Sequence, residues 1–212
     1  MEPTKNLLAF ATVALVLVAV PGPSVAFTIS RALTAGRRAA LLNVAGNTMG
    51  LVAQVMAVAF GLGAVVERSA QVFAVLKLAG AAYLVFLGVQ AIRHRHSFAQ
   101  ALSHRVRPLS PLRALRDGAL VGVTNPKTIA VFVIVLPQFT VPASGHLAAQ
   151  LINLGLVFPL IALILDSMWA LAAGTASQWL SRSPRRLAAI GGTTGLAMIG
   201  LGVSLAATGR KD

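Results

Sequence analysis

Residues 7–29 carry no charged side chain, yet Pro21-Gly22-Pro23 stands inside the run. An apolar stretch of about 18 residues or more reads as a membrane-spanning helix, because in hydrocarbon every backbone polar group must find its partner internally. Proline lacks the backbone donor and crowds the preceding turn, and glycine adds backbone freedom, so the triplet breaks a helix by about 3 kcal/mol or more. A break at membrane depth is tolerated where it is buried in protein or lines a water-filled cavity. The triplet therefore predicts a broken first span whose opened backbone has a use.

Composition agrees with a membrane chain. Of 212 residues, 57% are hydrophobic and 11% charged, against about 25% charged in soluble domains; the mean hydropathy is +0.80. Six apolar segments, at about 6–30, 41–63, 70–91, 118–140, 147–173 and 188–207, are each long enough to cross a core of about 30 Å. The expected fold is an all-α integral membrane protein of about six spans. Residues 7–20 followed by Ser24-Val25-Ala26 also have the outline of a signal peptide. The barely basic leader and the continuing apolar run favour a retained span. The chain has no cysteine, which excludes disulfides and dithiol redox chemistry.

The net charge of +13 is distributed by loop. Arg31, Arg37 and Arg38 fall in the first loop, six arginines from Arg93 to Arg116 in the third, and Arg182, Arg185 and Arg186 in the fifth, which accounts for 12 of the 18 basic residues. The second loop has only Glu67 and Arg68, and the fourth, 140–146, has no charge. Cytoplasmic loops carry the excess of Lys and Arg, so the odd loops are expected inside and both termini outside. The charge is thereby read as topology, and no nucleic-acid partner is expected. The third loop, with Arg93-His94-Arg95-His96 and His104, could hold a metal or anionic lipid, but an orientation signal is the simpler reading. It divides the chain into a first three-helix unit (1–92), a basic loop (93–116) and a second three-helix unit (117–212). Odd span counts make the two units inverted, a common transporter plan with its site between the halves.

Gly46 and Gly50 in the second span, and Gly191 and Gly195 in the sixth, have the spacing that lets helices approach closely; Gly80, Ala81 and Ala82 could do the same in the third. Such faces would also permit a homodimer. Ionisable groups within spans tend to be cavity-facing and functional, and three qualify: Lys77, Lys127 and Asp166. Lys77 lies close enough to its span end to snorkel. Lys127 follows Asn125-Pro126 near the middle of the fourth span, where proline frees a carbonyl and asparagine can bond the opened backbone. Asp166 is the only carboxylate expected inside a span, and Asn47 is a further candidate in the second. An ion pair between Lys127 and Asp166 would be the purely structural alternative.

These motifs resemble those of the LysE-type amino-acid exporters, bacterial proteins that include lysine exporters and homoserine/threonine efflux translocators. The similarity runs over nearly the whole chain. It rests on Pro21-Gly22-Pro23 with Gly36-Arg37-Arg38, on Leu76-Lys77-Leu78-Ala79-Gly80-Ala81-Ala82-Tyr83-Leu84 with Gly88, and on Asn125-Pro126-Lys127 with Leu136-Pro137-Gln138-Phe139. Asp166, Trp169 and the glycines from Gly195 to Gly202 complete it. The resemblance implies a bacterial inner-membrane exporter of amino acids working against protons. It also draws Lys77 into the matching motifs.

A zwitterionic substrate must shed water from both its charges at such a site. A half-helix starting at Pro23 or Ser24 would offer free N–H groups to the carboxylate. Opened carbonyls near Asn125, together with Asp166, would suit the ammonium, and Lys127 would share Asp166 or assist the carboxylate. Proton coupling falls to Asp166 and Lys127, and with one buried acid the site favours a neutral over a basic substrate. The expected substrate-binding set is thus Pro21, Gly22, Pro23, Ser24, Asn125, Pro126, Lys127 and Asp166. No catalytic residue, metal or cofactor is expected, since the histidines sit in loops and no HExxH or paired-carboxylate motif occurs. Export of another small solute or cation, or a non-transporting membrane subunit, are the alternatives. A divalent-cation carrier would need more intramembrane ligands.

Overall fold

A computed structural model describes residues 3–61, 110–141 and 144–175, together with scattered positions between 75 and 93 and between 183 and 207. Among these residues there is no strand. The helices are α1 (Pro3–Ala19), α2 (Pro23–Ala35), α3 (Arg37–Gly61), α4 (Pro111–Thr124), α5 (Pro126–Ala130), α6 (Leu147–Gly155) and α7 (Val157–Thr175). After α5 the chain continues through a wide π turn, Val131–Val135, and a tight 3-10 turn, Leu136–Phe139.

Proline sets the breaks where expected. Pro23 and Pro126 each occupy the first turn of the helix that follows, where the missing N–H removes no bond. The α1–α2 pair bends by 46°, and α4 bends by 41° against the segment Pro126–Phe139. Two further stretches are long and apolar enough to cross a membrane unbroken: α3, and α6 with α7 as the single run Leu147–Thr175. The described residues therefore contain two straight candidate spans, or four if each bent pair is one span. The expected segments 70–91 and 188–207 fall mostly outside the described residues; the positions described within them are helical.

Two expectations about boundaries are corrected. Arg31, assigned to the first loop, lies in α2, and Arg37 and Arg38 open α3. Only Gly36 separates these helices, with φ +85°, a left-handed conformation that glycine adopts without penalty. Likewise α4 starts at Pro111, capped by Ser110 accepting from the Arg113 N–H at 3.3 Å. Residues 111–116 are thus helix rather than loop, and Asp117 joins Asp166 as a carboxylate within a helix. Helices run past the apolar segment because arginine stems are themselves apolar and the charge at their tip can reach water or a partner. Arg31 and Asp117 pair at 2.9 Å, tying α2 to α4.

Helices α3 and α4 meet backbone to backbone. A Cβ added at Gly46 would overlap the Leu115 carbonyl, and one at Gly50 the Ala119 carbonyl; Gly118 and Gly122 in turn face the carbonyls of Asn43 and Asn47. Gly46 and Gly50 thus meet a second glycine pair that the sequence reading overlooked, although it has the same four-residue spacing.

Among the described residues the interior holds two apolar clusters with a polar layer between them. The larger gathers Phe10, Leu51, Val55, Phe132, Leu151 and Phe158 among others. The smaller is built from Val25, Ile29, Val44 and Ala170. Ser24, Asn47, Asn125, Lys127 and Asp166, all buried, lie on the same helices between the two, at the level of both breaks.

Candidate functional site

The first break leaves two ragged helix ends. At the end of α1 the carbonyls of Leu17 and Val20 would be orphans, but the Lys127 ammonium donates to both, at 2.5 and 2.8 Å. At the start of α2, Gly22 is the cap residue and supplies no side chain. The first intrahelical bond is the Ala26 N–H to the Gly22 carbonyl at 2.9 Å. The Ser24 and Val25 amides therefore have no backbone acceptor among the described residues, and both residues line a cavity. Gly22 has an extended backbone, φ −105°, so it is not needed for its conformation. Its role is space: a Cβ there would stand 3.1 Å from Lys127 Cδ and 3.4 Å from its Nζ.

The second break is capped at its helix start and has two of its freed carbonyls bonded. Asn125 Oδ1 accepts the Lys127 N–H at 3.0 Å, capping α5, as asparagine does at helix starts. The Gln54 amide donates to the carbonyls of Gly122 and Val123 at 2.9 and 2.8 Å. The carbonyls expected to await an ammonium near Asn125 are thus already bonded, and neither Gly122 nor Val123 lines the cavity. The breaks touch through Asn125 Nδ2, which donates to Ser24 Oγ at 2.6 Å.

Helices α3 and α7 complete the site. Asn47 Nδ2 donates to Asp166 Oδ2 at 3.3 Å, while the Asn47 amide oxygen is buried and has no partner among the described residues. Asp166 is only 3% exposed, and its one described hydrogen bond comes from Asn47. Lys127 and Asp166 are not among the ion pairs of the described residues. In place of a direct contact between the two, the lysine serves carbonyls and an amide holds the aspartate.

One cavity of about 30 Å³ is lined by Gly22, Ser24, Asn47, Asn125, Lys127 and Asp166, with Val18, Leu51, Phe158 and Ala162 among its apolar walls. Such a volume holds about one or two waters and lies far below the roughly 300 Å³ at which ligand pockets begin. Pro21, Pro23 and Pro126 shape the breaks without lining it. Lys77 lies outside the described residues. Gln54 and Thr128 were missed; each was visible as a polar residue within an apolar run. Thr128 also lines the cavity, with its hydroxyl on the Asn125 carbonyl at 3.0 Å.

The family model of the LysE type translocators matches residues 15–209. An uncharacterized membrane protein of Vibrio cholerae is 34% identical over 200 residues, covering 94% of this chain and 95% of its own. The homoserine/homoserine lactone efflux protein of Salmonella typhimurium is 31% identical over 191 residues, 88% of each chain. The threonine efflux protein of Escherichia coli is 30% identical over 131 residues, 59% of this chain and 64% of its own. No solved structure matches.

Proposed function

The chain belongs to the LysE type translocator family, and from that premise we propose that it exports a neutral amino acid from the bacterial cytoplasm in exchange for protons. One observation carries the reading: a buried carboxylate and an uncapped helix start face the same cavity between two helix breaks. Asp166, with the free amide oxygen of Asn47, suits an ammonium group. The Ser24 and Val25 amides, at the positive end of α2, suit a carboxylate. The homoserine and threonine efflux activities named for relatives support the substrate class. A single buried acid among the described residues, with Lys127 beside it on the cavity wall, favours a neutral side chain over a basic one.

The setting is six spans in two inverted units, the second beginning with α4 at Pro111, in the bacterial inner membrane, with the basic loops inside and both termini outside. The matched plan of the two breaks, a cap residue followed by proline at the first helical position, supports the inversion. Lys127 acts as a positioning residue that holds the first break in shape. Because the cavity has room only for water, substrate enters when one side of the bundle opens. Asp166 then takes a proton or an ammonium in turn, which is what antiport requires.

Everted vesicles bearing the full chain test this. An imposed pH gradient should drive uphill uptake of labelled threonine or homoserine, collapsing when a protonophore is added. Asp166→Asn should abolish the uphill component. Proton-driven accumulation by that variant would remove Asp166 from the mechanism, and wild-type vesicles that move no amino acid would remove the function.

A further inference from the structure

The cavity changes character along its length. Phe158, Ala162 and Asp166 recur every four residues on α7, sharing one face and stepping about 6 Å at a time. Asn47 and Leu51 do the same on α3. Asn47 bonds to Asp166, while Leu51 and Phe158 belong together in the larger apolar cluster and Val44 and Ala170 in the smaller. The two helices are therefore antiparallel, and their polar and apolar groups segregate to opposite ends of one cavity. Val18 of α1 also lines the cavity and belongs with Leu51 and Phe158 to the larger apolar cluster. The Phe158 ring is fixed edge-on against Phe132, with centroids 5.3 Å apart.

We infer that this apolar end receives the substrate's side chain, and that Phe158 and Ala162 limit it to a short, uncharged one. The inference rests on the export reading above and adds the residues that select the substrate. With the ammonium on Asp166, the side chain of an amino acid bound along α7 extends toward Ala162 and Phe158. Among the described residues the only carboxylate lining the cavity is Asp166, which leaves none to meet a basic side chain, and the Lys127 ammonium, bound to the carbonyls on either side of Val18 and Ala19, repels one. A long aliphatic chain meets the Phe158 ring. In a tight apolar pocket each methylene that does not fit changes selection by roughly 10- to 200-fold.

The test is counterflow of labelled threonine, leucine and lysine by the purified full chain in proteoliposomes. Wild-type protein should exchange threonine at least about tenfold faster than leucine or lysine. Phe158→Ala should raise the leucine-to-threonine ratio about tenfold or more. Ala162→Val, a change of two methyl groups that keeps the aromatic contact, should lower threonine exchange relative to alanine exchange. Lysine exchanged as fast as threonine by wild type overturns the inference. So does an unmoved leucine-to-threonine ratio in Phe158→Ala, or, where that variant does not fold, an unmoved threonine-to-alanine ratio in Ala162→Val. An active wild type with unmoved ratios removes this inference alone, whereas a wild type that exchanges no amino acid removes the export reading with it.

Discussion

The two helix breaks have the same outline and opposite chemistry. Each places a cap residue before a proline, Gly22-Pro23 in one and Asn125-Pro126 in the other. Each has two of its freed carbonyls taken by a side chain from a different span: Lys127 for the first, Gln54 for the second. They differ at the helix start. Asn125 satisfies its own helix, whereas Gly22 leaves the start of α2 open toward the cavity. A break with both ends satisfied can position its neighbours but has little left to offer a ligand. The break with unmet donors is the one that can receive an acceptor.

Lys127→Met should produce the largest effect. Methionine has similar length but no donors, so the carbonyls of Leu17 and Val20 lose their partner. Unsatisfied buried acceptors cost about 1–3 kcal/mol each, partly offset by removing a buried charge. Export should fall to background, with a clearly lower melting temperature in detergent. Unchanged melting would show that the first break needs no cap and would dissolve the parallel with the second. Gln54→Leu should act more weakly, since its hydrogen bonds are neutral: about 1–3 kcal/mol of stability, with the KM for threonine within about twofold of wild type. A large rise in KM without loss of stability would mean that the second break contacts substrate after all.

Gly22→Ala adds one methyl group 3.1 Å from Lys127 Cδ and replaces a tolerated cap residue by a poor one. The expected loss is about 1 kcal/mol of stability, with a severalfold higher KM, because the methyl group crowds the cavity beside the open amides. Melting and concentration-dependent counterflow read the two quantities separately. A normal KM would mean that substrate does not approach the start of α2.

The sequence made the breaks themselves legible, because proline and glycine act on their own backbone. It also exposed Asp166, Asn47 and Ser24 as polar groups in apolar surroundings, and Gly46 with Gly50 as a close-packing face. What it hid were partners. Lys127 reaches carbonyls 110 and 107 residues away, and Gln54 reaches 68 and 69 residues ahead. In a soluble helix the apolar stripe points to the core. In a membrane helix the lipid face is apolar too, so periodicity does not say which residues look at one another. The same limit placed Arg31 in a loop: charge counting sees the guanidinium, not the helix that carries its stem to Asp117 at 2.9 Å.

Asn125→Ser gives the smallest expected change and the sharpest reading of the comparison. A serine oxygen can take over the cap of α5 from Asn125 Oδ1, since the two are near-equivalent at helix starts, with differences of a few tenths of a kcal/mol. It is too short to keep the 2.6 Å bond to Ser24, so the bridge between the breaks is cut while each helix start keeps its own chemistry. If the second break only positions, melting should shift slightly and counterflow should stay within about twofold of wild type, the Ser24 hydroxyl being free to turn toward the substrate. If the breaks work as one unit, export should fall as far as in Lys127→Met. The size of that fall, measured against the near-normal melting of the same variant, decides whether the two breaks are one site or a site and its strut.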